Sequence, residues 1–476
     1  MFGLEKLFNK DEDKKRKDKI AQLLKTSPEL LEQFENEYRS RCLTDEAEPG
    51  SGFFDVNSRQ ASAAVREKQV PGDYDEEYLQ SVINRAVDEL VSETEILKVS
   101  NTHIEKAAGP ALPAGTEMLS AKEVNSIEPR LRPMATGLLA KFDLDPKMPT
   151  YATLLENLSY SLNAKTDKRK ADFYNLFRQG LDMLDIDPIT YKILGMNRNS
   201  MGYWLPKIAD AVWMEGFFKI PNTIIAKVPM SLLQLSRLDY ISMTPTTLKI
   251  VDDWAMKVFE LDPNKSYFIK NGVFSSKFDF RNAKVTTEKE VRELGEYLLY
   301  IQSQASEMAH PLNQPIIYGT ATTNEWVVRE FIEDVEGNPT IYKGLPLHTE
   351  YRVFVDFDTD EVLCVVPYWE PETMKNRFAN MDDAASPHQR HDYIVYKMHE
   401  ETLMKRYKEN KDNVVSHISA LIGNVDLEGQ WSIDIMQNDE DFWLIDMATA
   451  STSAFKDWIP EGKLKPAKED WIPKLN

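Results

Sequence analysis

The chain has 476 residues, is 42% hydrophobic and 10% aromatic, and carries a formal charge of −20, so it holds enough apolar material for two or three packed domains. That charge argues against general nucleic-acid binding, whose non-specific affinity comes from clustered lysine and arginine, although a locally basic pocket is compatible with it. Cys42 and Cys364 lie far apart with no C-x-x-C spacing, which leaves a disulfide framework and a zinc site unsupported and makes a reducing cytoplasm the expected compartment.

The amino terminus, "MFGLEKLFNKDEDKKRKDK", breaks its short apolar stretch with charge and puts the basic run after it, the reverse of a secretory signal. "KKRKDK" reads as a solvated helix start, with a nuclear address or an anionic-surface patch as the alternatives. No stretch approaches about 18 uninterrupted apolar residues, so no membrane span is expected. Residues 12 to 42 read as helical, with Ser27 as cap and Pro28 at the first helical position of "TSPELLEQFENEY". "TDEAEPGSGFFDVNSRQASA" then reads as a linker, and the amino-terminal segment is placed at 1–73.

A mainly helical domain is expected over 74–223, because apolar residues from Tyr74 to Leu261 recur mostly at three- and four-residue spacing. Examples are "EEYLQSVINRAVDELVSETEIL", "YATLLENLSYSL" and "TTLKIVDDWAMKVFEL". The aromatic-rich "MGYWLPKIADAVWMEGFFKIPNTII" reads as core in preference to a ligand cage. After Asp262 the texture changes to strands: "SYFIKNG", "EWVVREFIED", "EYRVFVDFD", "EVLCVVPYW", "QWSIDIM" and "DFWLIDM". Two helical segments interrupt them, "EKEVRELGEYLLYIQSQASEMA" and "HQRHDYIVYKMHEETLMKRYKENKDNVVSHISALI". The expected fold class is therefore α+β, with mostly antiparallel sheets in a unit spanning 224–476. Pro460, Pro466 and Pro473 discourage any long element in the tail.

The last two strands carry the most informative pattern. A hairpin with a loop of about five residues near Glu440 sets Asp434 opposite Asp446 on one side of the sheet. Like charges so placed repel, and their Cβ atoms would lie about 4.5–5.5 Å apart. A cation between them relieves this, and Mg²⁺ is usually held by a few oxygen ligands and a nucleotide phosphate. The alternative is that one aspartate points to solvent or caps a neighbouring element.

Upstream, "YFIKNGVFSSKFDFRNAKV" places Lys270 at a strand end, Lys277 and Arg281 after it, and Gly272, Ser275 and Ser276 in a loop whose N–H groups suit phosphate. Arg352 sits inside the strand "EYRVFVDFD", a costly place for a guanidinium without an anion. Ordinary ion pairs are the competing explanation for each base. In "TTNEWVVREFIED" a strand running into Glu330 and Glu333 could offer its backbone to an adenine edge and a carboxylate to ribose. It also reads as a plain edge strand.

In the order of these parts the chain resembles the ATP-grasp superfamily, and within it the atypical clade characterised by one arginine and two lysines. The resemblance rests on "FIKNGVFSSKFDF", "WVVREFIED", "TEYRVFVDFDTDEVLCVVPYW" and "SIDIM…FWLIDMA", and covers roughly residues 224 to 455. It implies an ATP-grasp-like half of two α+β subdomains with ATP between them, and an ATP- and Mg²⁺-dependent activation of a carboxylate as an acyl phosphate that an amine or thiol attacks. It further implies phosphate contacts from Lys270 and Lys277, adenine contacts from Glu330, Phe331 and Ile332, and ribose contact from Glu333. Arg352 would face the transferred phosphoryl, and Asp434 and Asp446 would hold Mg²⁺. Positioning and charge neutralisation are what phosphoryl transfer asks of a protein. Where many members read Glu-x-Asn this chain reads "DMA", so Ala448 stands in the place of an amide ligand unless Thr449 or Ser451 substitutes.

Three functions follow as expectations. The first is an ATP-dependent ligase with carboxylate and amine substrates, a peptide or protein among the candidates. The second is an ATP-binding assembly factor or scaffold, which the missing amide and the helical half favour. The third is a covalent nucleotidyltransferase using Lys270, although in "IKNG" the glycine follows the lysine by two residues instead of three. His388, His391, His399 and Glu400 read as a solvated helix face, with a metal site as the alternative, since a ligand pair usually sits one turn apart. No Gly-x-Ser-x-Gly or Ser-His-Asp pattern supports a hydrolase.

Overall fold

The computed structural model describes residues 76–107, 197–236, 245–309, 323–378 and 387–465, together with Arg66, Lys168 and Gly195. The helix expected at 12–42, the linker, "KKRKDK", "YATLLENLSYSL", Pro466 and Pro473 lie outside the described residues. Within them the protein is α+β, and all but one of its strand pairings are antiparallel.

Helix α1 (Glu76–Ser92) buries Ile83 and Val87 and packs Leu90 and Val91 behind them, the stripe expected of an amphipathic helix. The helical pattern expected through Leu97 stops early. The Thr94 hydroxyl donates to Leu90 O at 2.7 Å and accepts from the Trp254 indole at 3.1 Å, which occupies a carbonyl of the last turn. Strand β1 (Glu95–Val99) follows, with Ile96 on one core and Leu97 and Val99 on another. It pairs with β2 (Ile104–Ala107) and with β4 (Thr223–Lys227). The sheet they begin therefore runs across the boundary expected at 224. Helix α2 (Met201–Glu215) and the two-residue β3 (Phe218–Lys219) precede β4.

The first sheet has the order β2-β1-β4-β7-β5-β6, where β5 is Tyr267–Asn271, β6 Lys284–Val285 and β7 Glu325–Glu330. One face is covered by α1, α4 (Pro245–Val258) and α6 (Leu294–Ala309), which bury Trp254, Leu298 and Ile301 against Ile269, Trp326 and Val328. The short helices α3 (Met230–Leu235) and α5 (Glu288–Arg292) flank them. The long helical run expected from "EKEVREL" onward is thus two helices, broken at Glu293.

After the small hairpin β8 (Thr340–Ile341) and β9 (Leu345–Pro346), the second sheet has the order β11-β10-β12-β13-β3. Its strands are β10 (Thr349–Asp356), β11 (Glu361–Pro367), β12 (Gln430–Asn438) and β13 (Asp441–Thr449), and only β13 and β3 run parallel. Helix α7 (Pro371–Arg377) and the long α8 (Pro387–Ile422) come between β11 and β12. Alternation divides the sheet cleanly. Tyr351, Val353, Val355, Trp431, Ile433 and Ile435 join α2 and α8 in a core that also takes Ile225 and Val327 from the first sheet. Glu350, Arg352, Asp434 and Met436 fall on the opposite face by the same alternation. The aromatic stretch in α2 is core, as expected, with Trp204 fully buried.

Candidate functional site

A cleft of about 890 Å³, counted out to its mouth, lies between the two sheets. Lys270 and Arg329 enter it from the first sheet, and Glu350, Asp434, Ile445 and Asp446 from the second. Lys277, Phe331 and Ile332 complete the polar and apolar sides. Of the residues singled out from the sequence, Lys270, Lys277, Glu330, Phe331, Ile332, Asp434 and Asp446 line this one cleft. Glu333 and Arg352 do not.

Asp434 does face Asp446, but by another route than a five-residue loop. Asn438 pairs with Asp441, so the turn is only Asp439 and Glu440, and Asp439 takes φ 57°. A regular ladder from that turn would oppose Asp434 to Ile445 and put Asp446 beside Ile433 on the core face. The register shifts instead between Asp434 and Ile435, leaving Ile445 as the extra residue and turning Asp446 back to the cleft.

Each aspartate already has a cation. The buried Lys270 ammonium lies 3.2 and 3.1 Å from the two Asp446 oxygens. Arg352 grips Asp434 through two hydrogen bonds, Nε to Oδ1 at 2.8 Å and Nη2 to Oδ2 at 2.6 Å. Arg352 also donates to Ala454 O at 3.3 Å, and its guanidinium lies 4.9 Å from the Tyr368 ring centroid and 6.0 Å from that of Phe455. Register places Arg352 directly across from Asp434, and the carboxylate takes the Nε and Nη2 donors. Burial opposes the charge on Arg352, but Asp434, with Asp446 and Glu350 adding to it, lifts the guanidinium above its ordinary value.

Lys277 opens a 3₁₀ segment (Lys277–Asn282), contacts the Tyr368 hydroxyl and lies 4.4 Å from that ring's centroid. Burial pushes its ammonium down, with Glu350 countering and Arg352 adding to the effect. Glu350, which the sequence reading passes over, is pushed up to about 7 by burial, with Lys277 opposing and Asp434 reinforcing the shift. Arg281 turns away from the cleft to Asp279, 3.2 Å distant. The first N–H groups of the loop after β5 are spent within the protein. Asn271 Oδ1 accepts from the Val273 and Phe274 N–H groups, and the Gly272 N–H donates to Glu325 O. Gly272 is there for contact, since a Cβ would fall 2.0 Å from Ser200 Oγ. Ser275 still lines the cleft, and the buried Ser276 hydroxyl has no partner among the described residues.

At the other end of the cleft, β7 stops at Glu330 and the chain passes Phe331 and Ile332. The Glu330 and Phe331 N–H groups donate to Asn222 O and Ser266 O, while Ile332 N–H makes no hydrogen bond among the described residues. Lys284 stands 3.8 Å above the Phe331 ring. The Glu330 carboxylate turns to Asn222 at 2.8 Å and Lys265 at 3.3 Å. Glu333 is 65% exposed and lies 3.8 Å from Lys284, at the rim.

Arg329 is the second residue missed. It is 4% exposed and donates to Thr223 Oγ1 at 3.1 Å, Ile445 O at 2.5 Å and Leu444 O at 3.5 Å. Burial pushes it down to about 10, with Asp446 opposing. On β13, Ala448 pairs with Ser432 on the cleft side, whereas Thr449 pairs with Trp431, turns to the core side and shares its hydroxyl with Thr452. The Thr449 side chain therefore does not face the cleft beside Asp446. The Ser451 hydroxyl is buried with no partner among the described residues.

A further cluster lies along the rim. His348 Nδ1 is 3.8 Å from Asp334 and 3.9 Å from Glu336. The Asn338 amide donates to both carboxylates and lies 3.3 Å from the imidazole, and Arg406 pairs with Glu336, so hydrogen bonding inside the loop satisfies these groups. His391 and His399 line a neighbouring hollow with Val395 and Met398, and the side chain of His388 lies outside the described residues. No helix among the described residues is long and apolar enough to cross a membrane.

No family model matches the chain, and no curated protein matches it. Among solved structures it is similar to Cdc123 from Schizosaccharomyces pombe, at 12% identity over 58% of this chain and 95% of that one, with a TM-score of 0.32. It is similar also to a C-terminally truncated Cdc123 from the same organism, at 12% identity over 55% and 86%, with a TM-score of 0.29. Likeness at that level says nothing about the site.

Proposed function

We propose that the cleft binds ATP with Mg²⁺, that the half of the chain bearing it is ATP-grasp-like, and that the protein joins a carboxylate to an amine or thiol through an acyl phosphate. The observation that carries this reading is the convergence of Lys270, Lys277 and the paired Asp434 and Asp446 in one cleft, with the Phe331–Ile332 turn at its far side. Two carboxylates supply hard oxygen ligands, and Mg²⁺ ordinarily needs only one or two beside substrate phosphates. When bound, the metal would neutralise phosphate charge. Asp434 and Asp446 would hold it, Lys270 and Lys277 would orient the phosphates, and Ile332 N–H and the Phe331 ring would meet the adenine.

A second reading, an ATP-binding assembly factor or scaffold, is favoured by Ala448 and by the turn of Thr449 to the core side, which leave the metal end one ligand short. The covalent nucleotidyltransferase reading is disfavoured because both Asp446 oxygens engage the Lys270 ammonium. Calorimetric titration with a non-hydrolysable ATP analogue, with and without Mg²⁺, tests the shared premise, and Asp446→Asn should abolish the metal's contribution to affinity. ADP release that rises with an amine acceptor supports the ligase. Tight binding without turnover over a broad acceptor panel supports the scaffold, and absence of nucleotide binding overturns both.

A further inference from the structure

We infer that Arg329 is a positioning residue that holds the β-bulge at Ile445 and thereby keeps Asp446 turned into the cleft. The bulge matters because the two-residue turn at Asp439–Glu440 would otherwise carry Asp446 to the core face. A bulge leaves its extra residue outside the regular ladder, so its backbone groups need other partners. The outer side of β13 offers little help, since β3 pairs only with Phe442 and Trp443. Arg329 supplies the missing donors, reaching Ile445 O and Leu444 O from the opposite sheet. Thr223 orients it, accepting from Nε while its own hydroxyl donates to Pro221 O at 2.7 Å.

The alternative role for a cleft arginine is direct contact with phosphate. Each nitrogen of this guanidinium is instead committed to a protein acceptor, and among the described residues no carboxylate pairs with it. A buried guanidinium tied to backbone carbonyls across two sheets is a clamp, and a rigid planar fork suits that better than a lysine would. That Asp446 is a metal ligand rests on the function proposed above. That Arg329 sets its orientation does not.

Two measurements on Arg329→Met separate these points. Amide hydrogen exchange should accelerate at Ile445 to Met447 and stay unchanged at Phe442 and Trp443 of the same strand. The Mn²⁺ affinity of the protein with a non-hydrolysable ATP analogue should fall about tenfold or more, the effect of losing an outer-shell partner, while analogue affinity without metal stays within about twofold. Unchanged exchange at the bulge, or uniform acceleration along β12 and β13, overturns the inference. So does an equal loss of metal-free analogue affinity, which marks Arg329 as a phosphate contact. If the parent protein binds no analogue at all, the ATP reading fails and the exchange pattern alone decides the clamp. Should Arg329→Met not fold, Thr223→Val removes the orienting hydroxyl and should give the same localised exchange, with uniform or absent change again overturning it.

Discussion

Arg352→Met should destabilise the protein by about 3 kcal/mol at neutral pH, the lower end of the ~3–5 kcal/mol lost when one member of a buried ion pair is removed. The pair qualifies as buried, with side-chain exposures of 12% and 9% and contacts of 2.8 and 2.6 Å to Asp434. Methionine preserves much of the apolar stem beside Tyr368 and Phe455, so the principal loss is the partner of Asp434. The lower end applies because Lys277 also acts on Asp434 and partly compensates the orphaned charge. Adding Asp434→Leu removes that charge, and the double variant should regain most of the loss, as apolar replacement of a buried pair is often neutral or better. Urea unfolding followed by tryptophan fluorescence gives midpoint and slope for each variant. An Arg352→Met protein within about 0.5 kcal/mol of the parent, the range of ordinary surface substitutions, would refute the reasoning. So would a double variant less stable than the single one.

Glu350→Gln should flatten the pH dependence of stability. Burial raises Glu350 from 4.5 to about 7, so between those values the folded state holds a proton that the unfolded state has lost. Stability from this group is complete below the lower value and declines as pH rises toward the upper one, by roughly 3 kcal/mol. The parent's urea midpoint should therefore fall relative to the variant's as the pH rises through that window, and parallel curves would count against the shift. Gly295→Ala should lower thermal stability by about 1–3 kcal/mol as overpacking. Its Cβ would sit 2.5 Å from Val251 O, a backbone atom of α4 that cannot step aside. An unchanged melting curve would show that α6 can shift away from α4.

Much of the second sheet is legible because its exceptions stand out from its alternation. Asp434 and Arg352 interrupt apolar runs, and a period of two assigns both to the face away from Ile433 and Val353. Their mutual pairing is not legible, since it depends on which strands become neighbours. Arg329 carries the same signature as Arg352, a guanidinium inside "WVVREF", yet its purpose lies on the other sheet, at a bulge that nothing in "LIDMA" announces. The end of α1 is hidden for a similar reason: Thr94 stops the helix together with Trp254, a residue 160 positions away. Glu350 escapes notice because its shift comes from burial and from Lys277, neither of which spacing reveals.

The cleft's charges also explain how one set of residues can be stable without a ligand and still accept one. Lys270 with Asp446, and Arg352 with Asp434, form two ion pairs in which every charge is answered. On the proposed reading, MgATP supplies both replacements at once: phosphate oxygens for Lys270 and a divalent metal for the carboxylates. Phosphate by itself would leave Asp446 without its cation, and a metal by itself would displace the buried Lys270 with no new anion to receive it, so each binds more weakly alone than with the other. The pairs differ in how readily they can exchange. Asp446 is 40% exposed and held by the point charge of a lysine, whereas Asp434 is 9% exposed and held by the planar two-donor grip of an arginine. On that reading exchange begins at Asp446, the aspartate whose orientation depends on the Ile445 bulge, while Asp434 keeps its Arg352 pair and offers its remaining lone pairs to the metal.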